Sequence, residues 1–181
     1  LSKLFTYPET GDQWWLGIML QEMRAGSAPR GDPYSFRMEI RLVPDFTNRA
    51  FRLAIEGTKA AGTAAWQGVW GATDEKTAVP LGQWLTVETA YRQGACCEGR
   101  FAVVLWDEAG TPLVSLDIKG WTYHPDSPSP VALNAWGGPQ KLYTSDNVIN
   151  HIRDQGGKAQ VYFDDFAVRP SWPASWAPPP S

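Results

Sequence analysis

Arg37-Met38-Glu39-Ile40-Arg41 sets two guanidinium groups and a carboxylate at alternate positions, with apolar residues between them. Successive side chains of an extended strand point to opposite faces, so this spacing puts the three charges on one face and Met38 and Ile40 on the other. Arginine offers planar, paired donors and glutamate accepts, so such a face suits a hydroxyl-rich or anionic ligand. Two other acidic pairs, Asp107-Glu108 and Asp164-Asp165, are adjacent in sequence, and on a strand their side chains part to opposite faces. Retaining glycoside hydrolysis needs two carboxyl groups converging from about 5 Å apart, which an adjacent pair on a strand does not give.

Aromatic residues form the second set of candidates. Ten tryptophans, six tyrosines and seven phenylalanines share the chain between core packing and ring stacking on sugars. Trp66, Trp70, Trp121, Tyr123 and Trp136 are the candidate sugar platforms. Trp121 and Tyr123 share a strand parity, and Trp136 stands among Gly137, Gly138 and Pro139. Two cysteines, Cys96 and Cys97, are neighbours and cannot staple distant segments. His124 and His151 are far from them and from each other in sequence, so no zinc spacing is present.

The elements that must position these groups are strands. Phe36, Met38, Ile40 and Leu42 alternate with Arg37, Glu39 and Arg41, and Phe51-Arg52-Leu53-Ala54-Ile55-Glu56 repeats the pattern after a turn at 44–48. These two runs are expected to pair and to share one apolar and one charged face. A strand is expected over 66–72. Residues 84–92 and 101–106 read as a hairpin with a long tip, and 113–118 as a further strand. One helix is expected, capped by Thr144 or Ser145, ended by Gly156-Gly157 and burying Val148, Ile149 and Ile152. Residues 161–168, with interleaved aromatic and β-branched residues, read as the closing strand. The fold expected is all-β, a two-sheet antiparallel sandwich or jelly roll, with one short helix before the last strand. The domain is expected over 1–169, with a proline-rich tail or linker over 170–181 that cannot continue a sheet.

A net charge of -3 and a pI near 5.4 argue against nucleic acid as partner. No apolar run approaches the length of a membrane span.

Three segments together resemble the concanavalin A-like jelly-roll superfamily of lectins, carbohydrate-binding modules, glycoside hydrolases and polysaccharide lyases. They are Gly82-Gln83-Trp84-Leu85-Thr86-Val87-Glu88, Gly99-Arg100-Phe101-Ala102-Val103-Val104-Leu105-Trp106, and the run from Val161 through Asp164-Asp165 to Val168. The resemblance covers about half the chain. The glutamate–aspartate–glutamate alternation of its laminarinase-like hydrolases is missing. Arg37-Met38-Glu39-Ile40-Arg41 is similar to a strand of alginate-lyase-like members, whereas their glutamine–histidine strand has no counterpart here. The resemblance implies a structural calcium held by Asp164 on the closing strand, since hard carboxylate oxygens suit that ion.

The function expected first is that of a non-catalytic carbohydrate-binding module for a plant or microbial polysaccharide, secreted or at the cell surface, as a monomer tethered to further domains. The second is a polysaccharide lyase or other glycan-active enzyme using Arg37, Glu39 and Arg41. The third is an adhesin or structural domain whose aromatics are all core.

Overall fold

The computed structural model describes residues 1–8, 17–26, 33–62, 65–137 and 144–170. The described residues form eight strands: β1 (Ile18–Ala25), β2 (Phe36–Asp45), β3 (Ala50–Ala61), β4 (Ala65–Thr73), β5 (Thr86–Arg92), β6 (Arg100–Trp106), β7 (Pro112–Lys119) and β8 (Leu133–Gly137). One helix, α1 (Asp146–Asp154), follows. A short 3-10 turn, Ser2–Thr6, precedes β1.

All neighbouring strands are antiparallel. The first sheet has five strands in the order β4-β3-β2-β1-β8, and the second has three in the order β5-β6-β7. Strand β7 lies against β3 and β4, and Thr89 of β5 donates to Gln21 of β1 at 3.0 Å, so the two sheets face each other. The chain is therefore mostly β, a two-sheet antiparallel sandwich with one short helix, as the sequence leads one to expect. Phe36, Met38 and Ile40 have no exposed surface. They join Leu53 and Ile55 of β3, Phe101, Val103 and Leu105 of β6, and Val148 and Ile152 of α1 in one apolar core.

Helix α1 begins at Ser145, whose carbonyl accepts from the amides of Val148 and Ile149. It stops where Gly156 takes a left-handed φ of 70°, a conformation open to glycine at little cost. Val148 and Ile152 are buried, whereas Ile149 is only half-buried. The helix is fastened to the 3-10 turn by the 2.9 Å contact between His151 Nε2 and Thr6 Oγ1.

The closing strand expected over 161–168 does not form. These residues leave α1 as chain outside both sheets, and Tyr162, Phe166 and Val168 are exposed. Asp165 takes a φ of 52°, which breaks the extended conformation in the middle of the run. Residue 170 begins the expected tail, and 171–181 lie outside the described residues. Strands β1 and β8, not expected from the sequence, complete the first sheet. Among the described residues no helix is long and apolar enough to cross a membrane.

Trp70 couples the two sheets. Its ring, projecting from β4, lies 6.4 Å from Phe36 of β2 and 5.7 Å from Phe101 of β6. Its Nε1–H donates to the carbonyl of Trp121 at 2.7 Å. The ring occupies the space left by the missing side chain of Gly57 on β3, and a Cβ there would stand inside it. Gly57→Ala should therefore cost about 1–3 kcal/mol through overpacking, read from urea denaturation midpoints. An unchanged midpoint would mean that Trp70 does not hold this place.

The β2–β3 turn is set by Asp45. Its carboxylate accepts from the backbone and side-chain amides of Asn48 at 3.0 and 2.8 Å, and from Arg52 at 2.7 Å. The Asn48 hydrogen bonds, with that of Arg52, hold this carboxyl at about 2 rather than 3.8. Between those values the unfolded chain binds more protons than the folded one, so stability is lost as pH falls through that window. Asp45→Asn should flatten this part of the melting temperature against pH curve. If wild type and variant lose stability in parallel from pH 4 downward, Asp45 is not the acid-sensitive group.

Candidate functional site

The strand register assembles the site on the outer face of the five-stranded sheet. Glu39 of β2 stands opposite Glu22 of β1 on one side and Glu56 of β3 on the other. Glu22 is also opposite Gly137 of β8, and Glu56 opposite Gly71 of β4. A single row across five strands therefore reads Gly137, Glu22, Glu39, Glu56, Gly71. The next row on this face reads Ala135, Arg24, Arg37, Thr58, Gly68. Arg41 lies on the far side of the acidic row, opposite Ala54. Acids thus run in a line with arginines on both flanks.

Like charges placed directly opposite one another destabilise a sheet. Ion pairing offsets that repulsion. Arg37 Nε lies 2.7 Å from Glu39 Oε1, and Arg41 Nε lies 4.0 Å from Glu39 Oε2. Arg24 pairs with Glu22, and a second nitrogen of Arg41 pairs with Glu56. Arg37 Nε also donates to Thr58 Oγ1 at 3.2 Å. Although the face is not the core, Glu39 is only 2% exposed and Glu22 only 4%. Burial pushes the Glu39 carboxyl above its ordinary range. Arg37 and Arg41 pull it back, and the neighbouring Glu22 and Glu56 push it further up.

Trp66 of β4 completes the face. The Arg37 guanidinium stands 4.4 Å from its ring centroid and that of Arg24 6.0 Å, within reach of cation–π attraction. Beside the row an open groove of about 470 Å³ is lined by Arg41, Glu56, Gly71, Thr73 and Glu75. Glu22 and Glu39 are buried, so a ligand would meet the partly exposed Glu56 carboxylate, the guanidinium groups of Arg24, Arg37 and Arg41, and the Trp66 indole. A carboxyl with a raised pKa adds a proton donor.

The structure brings Arg37, Glu39, Arg41 and Trp66 together and leaves the other candidates elsewhere. Trp70 is packed between the sheets, as described above. Trp121 is half-buried, edge-on to Tyr123 at 5.3 Å, and Tyr123 is itself buried. These three rings serve packing, because their neighbours are apolar core residues. The backbone of Trp136 pairs with Met23 in β8, and its side chain lies outside the described residues. His124 is buried, donating from Nε2 to the Ala60 carbonyl at 3.1 Å and accepting the Asp126 amide at Nδ1. Asp164 is exposed, and its carboxylate accepts the amide of Asp165 at 2.9 Å. Among the described residues no group of three or more His, Cys, Asp or Glu is placed to hold a metal ion.

Glu22, Arg24 and Thr58 also belong to this face, beyond the residues expected from the sequence. Glu22-Met23-Arg24 carries a signal that could have found two of them, since it repeats the spacing of Glu39-Ile40-Arg41.

Compared with family models, with curated proteins and with solved structures, the chain matches none of them.

Removing one partner of a buried ion pair costs about 3–5 kcal/mol, because the other charge stays buried alone. Glu39→Ala should lose that much in chemical denaturation, while Glu39→Gln, which keeps shape and hydrogen bonding, should lose less. Equal losses for both, each below about 1 kcal/mol, would show the network to be solvated rather than buried.

Proposed function

We propose that the outer face of the five-stranded sheet is a polysaccharide-binding surface. The chain would then be a carbohydrate-binding module similar to the concanavalin A-like jelly rolls, acting outside the cell or at its surface. The observation that carries this reading is the register of Glu22, Glu39 and Glu56 in one row between arginines. Apolar residues on a covered face, or alternating charges on a wet one, would stabilise the sheet better. The buried Glu22 and Glu39 hold the flanking guanidinium groups in place, so that these donors and the Glu56 acceptor face the hydroxyls of a sugar chain, and Trp66 supplies a ring for stacking on a pyranose.

A second reading has one specific observation in its favour. Burial holds the Glu39 carboxyl above its ordinary range although two guanidinium groups beside it pull the other way, and a protonatable carboxyl next to arginines suits proton transfer beside a uronate. A lyase acting there would release unsaturated ends that absorb in the ultraviolet.

The test is retention on a panel of neutral and uronic polysaccharides by affinity electrophoresis, with ultraviolet absorbance followed in parallel. Binding without new absorbance is expected. Trp66→Ala should weaken binding roughly 30-fold, corresponding to a hot-spot contact of about 2 kcal/mol. Absorbance rising on a uronic polymer favours the lyase. A Trp66→Ala variant that binds as tightly as wild type moves the surface away from this face.

A further inference from the structure

The tip of the β5–β6 hairpin carries a second chemistry, distant in kind from the charged face. Cys96 and Cys97 are both exposed, and their sulfurs lie 3.2 Å apart. Cys97 takes a φ of 71°, in the left-handed region that a residue with a Cβ enters only when its surroundings impose it.

The surroundings are unusually firm. The amides of Glu98 and Gly99 both donate to the Ala95 carbonyl, at 3.1 and 2.9 Å. Arg92 Nε donates to the Glu98 carbonyl at 2.8 Å, and the Gly94 amide donates to Thr122 Oγ1 at 2.9 Å. Gly94 and Gly99 approach so closely that neither position has room for a Cβ. The turn is thus fixed at both ends, and both sulfurs project into solvent where a small reagent can reach them.

We propose that Cys96 and Cys97 form a redox-modification site that closes reversibly to an intramolecular disulfide by exchange with a low-molecular-weight disulfide of the glutathione type. Either sulfur can open the exchange, since both are exposed and they lie 3.2 Å apart. With Cys97 first, its thiolate attacks one sulfur of glutathione disulfide. That S–S bond breaks, and its electron pair leaves with one glutathione thiolate. Cys96 then gives its proton to solvent, its sulfur attacks Cys97, and the second glutathione thiolate departs. Two protein thiols are oxidised to one disulfide, and one glutathione disulfide is reduced to two thiols.

The ring joins residues one peptide apart. A trans peptide sets their Cα atoms about 3.8 Å apart, closer than the roughly 4.4–6.8 Å of an ordinary disulfide. Such a bond is strained and more readily reduced, so the site is reversible rather than a permanent brace. The preset turn favours the ring over a lasting mixed disulfide, because the resolving sulfur already stands beside the attacked one.

The experiment treats the whole chain with glutathione disulfide and reads the intact mass. Wild type is expected to lose two hydrogens, to retain no glutathione, and to regain both hydrogens in dithiothreitol. Cys96→Ser and Cys97→Ser, each at an exposed position, are expected to fold normally and to retain one glutathione. Phenylarsine oxide, which needs two adjacent thiols, should bind reduced wild type and neither variant. Wild type that keeps a glutathione as stably as the single variants overturns the proposal, and so does wild type that remains fully reduced while the variants react.

Discussion

The contact on which the rest of the molecule depends is that of the Trp70 ring with the bare backbone of Gly57. One indole reaches from the edge of the larger sheet across β3 to touch β2 and β6, so it ties both layers together. The contact also fixes which way β3 faces. With Gly57 turned toward the core, the adjacent Glu56 and Thr58 must turn outward. A slip of one residue would carry Glu56 inward and Ile55 outward, a costly exchange. The same alternation in β2 separates Met38 and Ile40 from Glu39. The charged face is therefore a product of how the core is packed, and its geometry is as rigid as the core beneath it.

That face runs against the ordinary economy of a sheet surface. A carboxylate almost wholly removed from water, as those of Glu22 and Glu39 are, is costly, and the half-buried Glu56 beside them adds to the repulsion. Guanidinium groups on both flanks offset the repulsion, since each of Arg24, Arg37 and Arg41 meets an acid. The arrangement is specific rather than strongly stabilising. Trp66 beneath Arg37 limits where that guanidinium can lie, so the donors of the face are aimed before any ligand arrives.

Much of this was legible in the sequence where the period was clean. Residues 36–42 and 51–56 alternate without a break, and both strands, their pairing and the outward set of charges follow from that. The β5–β6 hairpin and α1 were equally plain, the helix from its terminal glycines and apolar stripe. Strand β1 was not, because an irregularity between Met19 and Gln21 shifts the parity and destroys simple alternation. With β1 unseen, Glu22 and Arg24 were unseen, and so was the row that defines the site. Residues 161–168 misled in the opposite direction. Their composition suits a strand, but composition does not carry the backbone conformation, and Asp165 lies outside the extended region. Tryptophan content alone did not separate platform from core. Trp66 and Trp70 lie on the same strand, and what distinguishes them is the bulge between Gly57 and Thr58 in the β3–β4 pairing.

Glycine ends the acidic row on both sides, Gly137 on β8 and Gly71 on β4. Within a strand, glycine often marks a place where another chain comes close to the backbone. Here it removes the walls. The strands raise no side chain at either end of the row, so nothing on them caps a ligand lying along it. If this face binds a polysaccharide as proposed, open strand ends of this kind would favour the interior of a long chain over a free end threaded into a closed pocket.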